Sequence, residues 1–375
     1  MASYRRRRSY GSGSVYRTAD GRWRGATTIA DPATGKRTRR TVSGDTAADT
    51  RRRLESLRAT TPSTTMRTAA WLAAWLPTTR LRVAPSTFRG YESVVRAIGA
   101  RIGDVPLGGL TPSDVERMTA AMVTSGLTAR TAGMARKVLR LALRQAIRDG
   151  LVARNVAAEA RPPRVEPFQA RTLSADEARH LIAETADDDL GPLWAVLIAT
   201  GLRQGEALGL AWADVDGATL TVRRSLSRGW DGRLALGSPK SDRSRRTIAL
   251  PAVARDALAR QRTRQDAARA AAGTAWQDRD GLVFTDAIGR PRTARSITPA
   301  LRSALARAAL PPIRCHDLRH TAATLQLAAG VPLAVISRTL GHSSLGITAD
   351  TYAAVTPDLR SEAADAMDRA LAGDS

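Results

Sequence analysis

The chain has 375 residues, of which 43% are hydrophobic and 25% are charged. This length and composition suit two or three domains, each with its own core, and exclude collagen-like, disordered and membrane-embedded proteins. Lysine and arginine outnumber aspartate and glutamate by 58 to 35, which gives a formal net charge of +23. Such an excess is typical of proteins that neutralise phosphates, so nucleic acid is the first partner to consider.

Cysteine content and hydropathy indicate where the protein acts. A single cysteine, Cys315, cannot form an internal disulfide or a multi-thiolate metal site, which favours a reducing, cytoplasmic environment. The longest apolar run, residues 192–202, is too short to cross a bilayer, and we expect no membrane association. The arginines at 5–8 have no apolar segment behind them, so we expect no secretory signal.

The positive charge is concentrated in the first part of the chain. Residues 1–60 carry a net charge of +10, residues 61–170 carry +9 and residues 171–375 carry +4. This distribution predicts that the front of the chain binds a polyanion. The alternative is a solvated arginine-rich surface, because 55 of the 58 basic residues are arginine and nucleotide composition alone can produce that bias.

Residues 1–62 are predicted to form a small domain of three strands and one helix. Strands are expected at 14–17, 22–29 and 37–42, with turns at Asp20-Gly21 and at 31–36, and a helix over 45–60. Strands of this kind can lie in a major groove. The alternative is a structural module with a basic, solvated face. The arginines expected to contact DNA are Arg22, Arg24, Arg37, Arg39 and Arg40.

Residues 63–160 are predicted to form a helical bundle. Apolar periodicity indicates helices over 68–76, 85–102, 111–125 and 129–150. In the last helix, arginine recurs every fourth residue and forms one stripe, which either follows a DNA backbone or is merely solvated. These arginines are Arg136, Arg140, Arg144 and Arg148. The proline-rich residues 161–170 are predicted to be an extended linker.

Residues 171–375 are predicted to form a mostly helical domain with a small β-sheet. Ser174 and Glu177 form a capping box that begins a helix ending near 186. Further helices are expected over 190–200, 203–210 and 358–371, and strands around 219–224 and 245–250. The predicted fold class is therefore multidomain α+β.

Rare residue types mark the chemistry in this last domain. The chain has only three lysines, and Lys240 is the only one after residue 170. Lysine can give up a proton in a suitable environment, whereas arginine stays charged. The alternative is a stray surface lysine in a turn.

Three of the four histidines, His316, His320 and His342, fall within 27 residues. Zinc is a competing interpretation of this cluster. However, Cys315, His316 and His320 lack a fourth ligand at a usual spacing, and Arg319 would repel a cation, so we expect no metal. On a helix, His316 and Arg319 share one face.

Tyr352 is a candidate nucleophile because the same domain contains Arg203 and Arg319. Two guanidinium groups can bind the non-bridging oxygens of a phosphodiester and offset the charge of an in-line displacement, a task often given to Mg²⁺. No acidic cluster for two metals and no nucleotide-binding motif is evident, so no cofactor is expected. The alternative for Tyr352 is a packed helix aromatic.

This ordered set of arginine, lysine, His-x-x-Arg, Leu-Gly-His and tyrosine resembles the tyrosine recombinases of the phage integrase family, and the resemblance covers nearly the whole chain. It implies that Arg203 and Arg319 clamp the scissile phosphate and that Tyr352 is the nucleophile. It further implies the remaining roles: Lys240 as general acid for the 5′-oxygen, His316 in proton transfer, His342 as a hydrogen-bond donor to the phosphate, and Glu206 as a supporting residue, with a plain helix salt bridge as its alternative.

The resemblance also implies the organisation and the activity. Residues 1–62 correspond to an arm-type DNA-binding domain, 63–160 to a core-binding domain, 161–170 to a linker and 171–375 to a catalytic domain with the tyrosine recombinase fold. The implied activity is site-specific recombination through a 3′-phosphotyrosine, which integrates a mobile element and, with partners, excises it. The implied partners are double-stranded attachment sites, a homo-tetramer on DNA, an excision factor and a DNA-bending host protein. A catalytically idle DNA-binding regulator and a type IB topoisomerase-like enzyme are the alternatives.

Overall fold

The computed structural model describes residues 14–30, 37–59, 65–166, 171–238, 244–278, 280–341 and 367–368. The chain divides into two compact units, residues 1–167 and 168–375.

The first unit begins with an antiparallel sheet and a helix, as predicted. The strands are β1 (Ser14–Arg17), β2 (Trp23–Ala30) and β3 (Arg37–Gly44), in the order β1-β2-β3, and α1 (Ala47–Ala59) follows. Helix α1 covers the sheet face that carries Gly25, since Thr50 and Leu54 of α1 lie within 3.3 Å of the position that a Cβ at Gly25 would take. Alternate residues of a strand point to opposite sides, so Arg24 lies on the face away from α1.

The rest of the first unit is helical. Its helices are α2 (Thr68–Thr78), α3 (Pro85–Ile102), α4 (Pro112–Thr124), α5 (Ala129–Arg148) and α6 (Val156–Glu159). The four predicted helices are confirmed, and α6 adds a single turn. The apolar face of α5, including Val138, Leu139 and Leu143, is fully buried in a core shared by all five helices.

The second unit is organised around one buried helix. Helix α7 (Ala175–Glu184) begins with the predicted capping box, because Ser174 Oγ accepts from the Glu177 amide at 3.1 Å and the Glu177 carboxylate accepts from the Ser174 amide at 2.8 Å. Helix α8 (Gly191–Thr200) has buried residues at every position except Ala199, as expected for a helix that is apolar on all sides. It ends at Gly201.

The remaining elements of the second unit follow α8 in the chain. They are α9 (Gln204–Leu208), β4 (Val215–Asp216), β5 (Thr219–Val222), β6 (Ser225–Arg228), β7 (Leu234–Gly237), β8 (Arg246–Ala249), α10 (Ala252–Ala272), α11 (Ala294–Arg307), α12 (Cys315–Ala328) and α13 (Leu333–Leu340). The two strands predicted for the small sheet are confirmed as β5 and β8, which pair in the order β4-β5-β8. Strands β6 and β7 form a separate hairpin. Helix α13 packs on α12 through Leu327, Ile336 and Leu340.

Two further predictions concern a C-terminal helix and membrane-spanning segments. The helix expected over 358–371 lies outside the described residues, apart from 367 and 368, which are helical and exposed. Among the helices of the described residues, none has the length and apolar character needed to span a membrane.

Candidate active site

Arg203 is held where α8 passes into α9. The carboxylate of Glu206 accepts a hydrogen bond from the Arg203 amide at 3.0 Å and another from Arg203 Nη1 at 2.7 Å. Glu206 thus fixes both the backbone and the guanidinium of Arg203. Nη2 of Arg203 donates to the carbonyl of Gly341 at 2.9 Å. The Glu206 side chain is 3% exposed and that of Arg203 is 33% exposed, so the arginine reaches solvent from a buried anchor.

Arg319 projects from α12 into the protein and is only 2% exposed. Its Nη1 donates to the carbonyl of Gly201 at 2.8 Å, and its Nη2 donates to the carbonyl of Leu340 at 2.7 Å. Arg319 therefore connects the end of α8 to the end of α13.

A third arginine, Arg246 of β8, completes the arrangement. Its Nη2 donates to the Glu206 carboxylate at 2.9 Å, its Nε to the carbonyl of Thr339 at 2.5 Å and its Nη1 to the carbonyl of Ser244 at 3.0 Å. Sequence reasoning missed this residue. A signal was available, because Arg246, Ile248 and Leu250 are alternate residues of one strand and therefore share a face, and Ile248 and Leu250 are buried. An arginine on a buried face needs an ionic partner.

The three arginines converge on three successive carbonyls at the end of α13. Thr339, Leu340 and Gly341, which we call the carbonyl turn, accept from Arg246, Arg319 and Arg203, respectively. The last carbonyls of a helix have no partner within the helix and lie at the negative end of its dipole. The carbonyl turn therefore gathers cationic groups from three separate places: the residue that precedes α9, helix α12 and strand β8.

Glu206 carries the negative charge of this arrangement. Its burial alone would raise the pKa of the carboxyl. The hydrogen bond and charge of Arg246, followed by the hydrogen bonds from Arg203, outweigh burial and hold the pKa of Glu206 below its ordinary value. Glu206 is therefore ionised at neutral pH and shared by two arginines.

His316 lies at the start of α12, one turn from Arg319. Solvent reaches its side chain, and the ring meets His320 edge-on with 5.1 Å between the ring centres. Desolvation by the surrounding protein atoms, followed by the positive charges of His320 and Arg319, lowers the pKa of His316 to about 4. The imidazole is consequently neutral at pH 7 and can accept a proton.

A cleft of about 430 Å³ opens beside His316, with Gln204 of α9 and Arg302 of α11 in its wall. Cys315 also borders this cleft, but burial, aided by the charge of Asp317, raises the pKa of its thiol to about 12. The thiol is therefore not a nucleophile at neutral pH.

The other predicted catalytic residues, Lys240, His342 and Tyr352, lie outside the described residues. In the sequence, Lys240 falls between β7 and β8, and His342 directly follows the carbonyl turn. Of the predicted site residues in the described part of the chain, the fold brings Arg203, Glu206 and Arg319 together and leaves His316 one helical turn from Arg319.

The predicted DNA-binding arginines of the sheet are distributed over both faces. Arg22, Arg24, Arg39 and Arg40 are exposed. In the register of β2 and β3, Thr28 pairs with Arg39 and Thr27 pairs with Arg40, so Arg39 shares the outer face with Arg24, whereas Arg40 lies on the face that α1 packs against. The backbone of Arg37 pairs with Ala30, and its side chain is outside the described residues.

The arginine stripe of α5 serves partly within the fold. Arg136 donates to the carbonyls of Ala158 and Ala160 and so stabilises the end of α6. Arg140 is half-buried, whereas Arg144 and Arg148 are exposed. The exposed part of the stripe is therefore its C-terminal half.

Comparison with known proteins gives a consistent assignment. Residues 171–358 match the phage integrase family. An integrase of Saccharopolyspora erythraea is 26% identical over 98% of both chains, and the tyrosine recombinase XerC of Mesorhizobium japonicum is 31% identical over 71% of this chain and 84% of its own. Among solved structures, the Tn1549 transposon integrase in complex with transposon right-end DNA has a TM-score of 0.69 at 21% identity and covers 82% of this chain and 100% of its own. A lambda integrase tetramer bound to a Holliday junction has a TM-score of 0.60 at 18% identity, over 88% and 95%.

The match extends over half of the chain, and it includes the segments that hold all six predicted catalytic residues. Because the relatives are integrases and tyrosine recombinases, neither an idle regulator nor a topoisomerase-like enzyme is favoured. The chain belongs to the phage integrase family and is a site-specific recombinase of the tyrosine class.

Proposed function

We propose that this recombinase cleaves and rejoins double-stranded attachment sites through a 3′-phosphotyrosine at Tyr352, and thereby integrates a mobile genetic element. The observation that carries the proposal is the convergence of Arg203 and Arg319, called the phosphate clamp below, on the carbonyl turn. An in-line displacement at phosphorus adds negative charge to the non-bridging oxygens. Two guanidinium groups fixed near one point can stabilise that charge without a metal ion.

The two arginines of the phosphate clamp differ in exposure, which suggests different contributions. Arg203 is the more accessible and would contact the phosphate directly. Arg319 is nearly buried, and its charge acts through protein of low polarity, where electrostatic interactions are stronger than in water.

The protons of the reaction need an acceptor and a donor. Attack by the Tyr352 oxygen releases the phenolic proton, and a neutral His316 can assist by accepting it. An anionic phosphate nearby would raise the pKa of His316 and strengthen it as a base. Lys240 would protonate the departing 5′-oxygen, and His342 would donate a hydrogen bond to the phosphate. The bond energy stays in the phosphotyrosine, so the 5′-hydroxyl of a partner strand can reverse the step.

The remaining parts of the chain would position the DNA. We assign arm-site binding to residues 1–62, core-site binding to 63–160, a linker role to 161–170 and catalysis to 171–375. The exposed arginines of the sheet and of α5 support DNA binding by the first two segments. Exchange of strands between two duplexes implies four protomers on DNA. An excision factor and a DNA-bending host protein would control direction, and the enzyme would act in the cytoplasm of a prokaryote.

The proposal is tested with a duplex that carries a nick beside the cleavage position, so that the released strand diffuses away and rejoining is blocked. The full-length protein should accumulate a covalent DNA adduct, which denaturing electrophoresis resolves. Tyr352→Phe should bind the same duplex equally well and form no adduct. An adduct of equal yield from Tyr352→Phe would overturn the proposal.

A further inference from the structure

Arg246 is an arginine whose whole hydrogen-bonding fork is directed inward. Its side chain is 6% exposed, so it cannot offer an extended surface to DNA. Each of its three nitrogens has a partner, and the three partners lie on different parts of the second unit: Glu206, Ser244 and Thr339. A buried guanidinium that loses such partners destabilises its surroundings strongly, so the arrangement is maintained as a unit.

The hydrogen bond from Arg246 to Glu206 links Arg246 to Arg203 of the phosphate clamp. Glu206 binds Arg203 through both of its oxygens and binds Arg246 through one of them. Without Arg246, the buried carboxylate would have only Arg203 as a cationic partner. Arg203 would then be drawn more strongly towards Glu206 and would be less available to a phosphate.

The hydrogen bond from Arg246 to the Thr339 carbonyl links Arg246 to the phosphate clamp through the carbonyl turn. Arg246 holds the first carbonyl of the carbonyl turn, while Arg319 and Arg203 hold the next two. Movement of Thr339 would shift the two carbonyls that orient the clamp.

We propose that Arg246 is a positioning residue for the recombination reaction, which acts on the phosphate clamp through Glu206 and through the carbonyl turn. The proposal rests on the function proposed above for Arg203 and Arg319. It extends the set of residues needed for cleavage to a buried side chain that binds Glu206, Ser244 and Thr339.

A purely structural role for Arg246 would lower stability and slow every reaction of the enzyme alike. A positioning role depends instead on the charge that the clamp must neutralise. Replacement of one non-bridging oxygen of the scissile phosphate by a methyl group gives a neutral methylphosphonate, which has much less need of a cationic clamp. A variant with a damaged clamp should therefore cleave the phosphate substrate more slowly than wild type, but should cleave the methylphosphonate substrate at nearly the wild-type rate.

The experiment measures single-turnover cleavage of nicked duplexes with either group at the scissile position, using full-length wild type, Arg246→Gln, Arg246→Lys, Arg203→Gln and Arg292→Gln. Arg292 is a matched control, because it is 16% exposed and binds the carboxylate of Asp189 and the carbonyl of Thr285 outside the clamp. Thermal unfolding and DNA affinity are recorded for each variant.

On the phosphate substrate, Arg246→Gln should cleave roughly 100-fold more slowly than wild type, the loss typical of a misplaced catalytic group. Arg246→Lys should lie between the two, because it keeps the charge but cannot bind all three partners. On the methylphosphonate substrate, both variants should approach the wild-type rate, as should Arg203→Gln. Arg292→Gln should match wild type on both substrates.

Two results would overturn the inference. If Arg203→Gln recovers on methylphosphonate while Arg246→Gln and Arg246→Lys remain equally slow on both substrates, Arg246 is structural and the phosphate clamp stands. If Arg203→Gln cleaves the phosphate substrate as fast as wild type, the phosphate clamp fails and the role of Arg246 fails with it. Should Arg246→Gln not fold, the same comparison is made with Arg246→Lys.

Discussion

Arg319 and Gly201 are joined by a hydrogen bond of 2.8 Å from Nη1 to the carbonyl oxygen, so one arginine of the phosphate clamp is oriented by a glycine at the end of α8. Gly201 has a φ of +63°, in the left-handed region that favours glycine. A Cβ at this position would lie 2.3 Å from Leu340 Cδ2. Conformation and space both require glycine here.

Gly201→Ala should therefore lower the free energy of unfolding by about 2–4 kcal/mol, from left-handed strain together with overpacking against the buried Leu340. Urea denaturation measures the decrease. Gly217→Ala is the control, because Gly217 also has a positive φ, +52°, but nothing lies within 4 Å of its missing Cβ. It should be destabilised by only about 1 kcal/mol. Equal destabilisation of the two variants would contradict a close approach at Gly201.

Arg203→Ala should slow cleavage about 100- to 1000-fold while changing DNA affinity little, because its charge is needed most as negative charge develops on the phosphate. Single-turnover cleavage and a binding titration at the same salt concentration measure the two quantities. Parallel decreases in rate and affinity would instead assign Arg203 to ordinary substrate binding.

Arg319→Ala should have the same kinetic effect and, in addition, a lower thermal midpoint than Arg203→Ala. Arg319 is nearly buried and bridges the ends of two helices, so its removal leaves the carbonyls of Gly201 and Leu340 without these donors. Arg203 is partly exposed, and its partner Glu206 keeps Arg246 when Arg203 is replaced. Differential scanning fluorimetry distinguishes the two variants, and a reversed order of midpoints would contradict the described hydrogen bonds.

The lowered pKa of His316 makes stability depend on pH. The ordinary pKa of 6.5 applies to the unfolded chain and about 4 to the folded one, so the unfolded state binds more protons between these values. The contribution of His316 is therefore complete above pH 6.5 and is lost as the pH falls towards 4. Burial also lowers the pKa of His320, so its protonation likewise decreases stability as the pH falls.

His316→Asn should thus show a smaller fall in thermal midpoint between pH 7 and pH 5 than wild type, and a variant that also carries His320→Asn should show a smaller fall still. The carboxyl groups with lowered pKa values titrate mostly below this window. Identical slopes for wild type and both variants would exclude the proposed protonation state of His316.

The two faces of the N-terminal sheet should differ in their effect on DNA binding. Replacement of Arg24 and Arg39, which share the outer face, should weaken binding to attachment-site DNA. It should also make the plot of the logarithm of the association constant against the logarithm of the salt concentration less steep, by about one unit of slope for each DNA phosphate that the variant no longer neutralises. Arg40→Ala, on the face covered by α1, should change that slope less. A larger effect from Arg40 would place the DNA on the other face.

The extent to which sequence predicts this protein varies with the range of the interactions. The first strand, residues 14–17, and the helix over 85–102 have the predicted bounds, because turn residues and apolar periodicity are local signals. The single turn α6, by contrast, depends on Asn155, whose side chain accepts from the Ala158 amide. Four residues are too few for a helical period to be seen.

The candidate site shows the same limit more clearly. Arg203 and Arg319 could be selected from their motifs, but their meeting point could not, since the carbonyl turn lies 138 residues from Arg203 and 93 residues from Arg246. Arg245 and Arg246 both lie in the predicted strand around 245–250. Alternation with Ile248 and Leu250 indicates that Arg246 turns inward, but its partners Glu206 and Thr339 are distant in sequence and could not be predicted.

In the proposed reaction, Tyr352 becomes linked to the 3′ end of the cleaved strand. The most direct measurement is mass spectrometry of the trapped adduct after nuclease and protease digestion. We expect one modified peptide, with a nucleotide 3′-phosphate on the phenolic oxygen of Tyr352. A nucleotide on another residue, or linkage to a 5′-phosphate, would contradict the account.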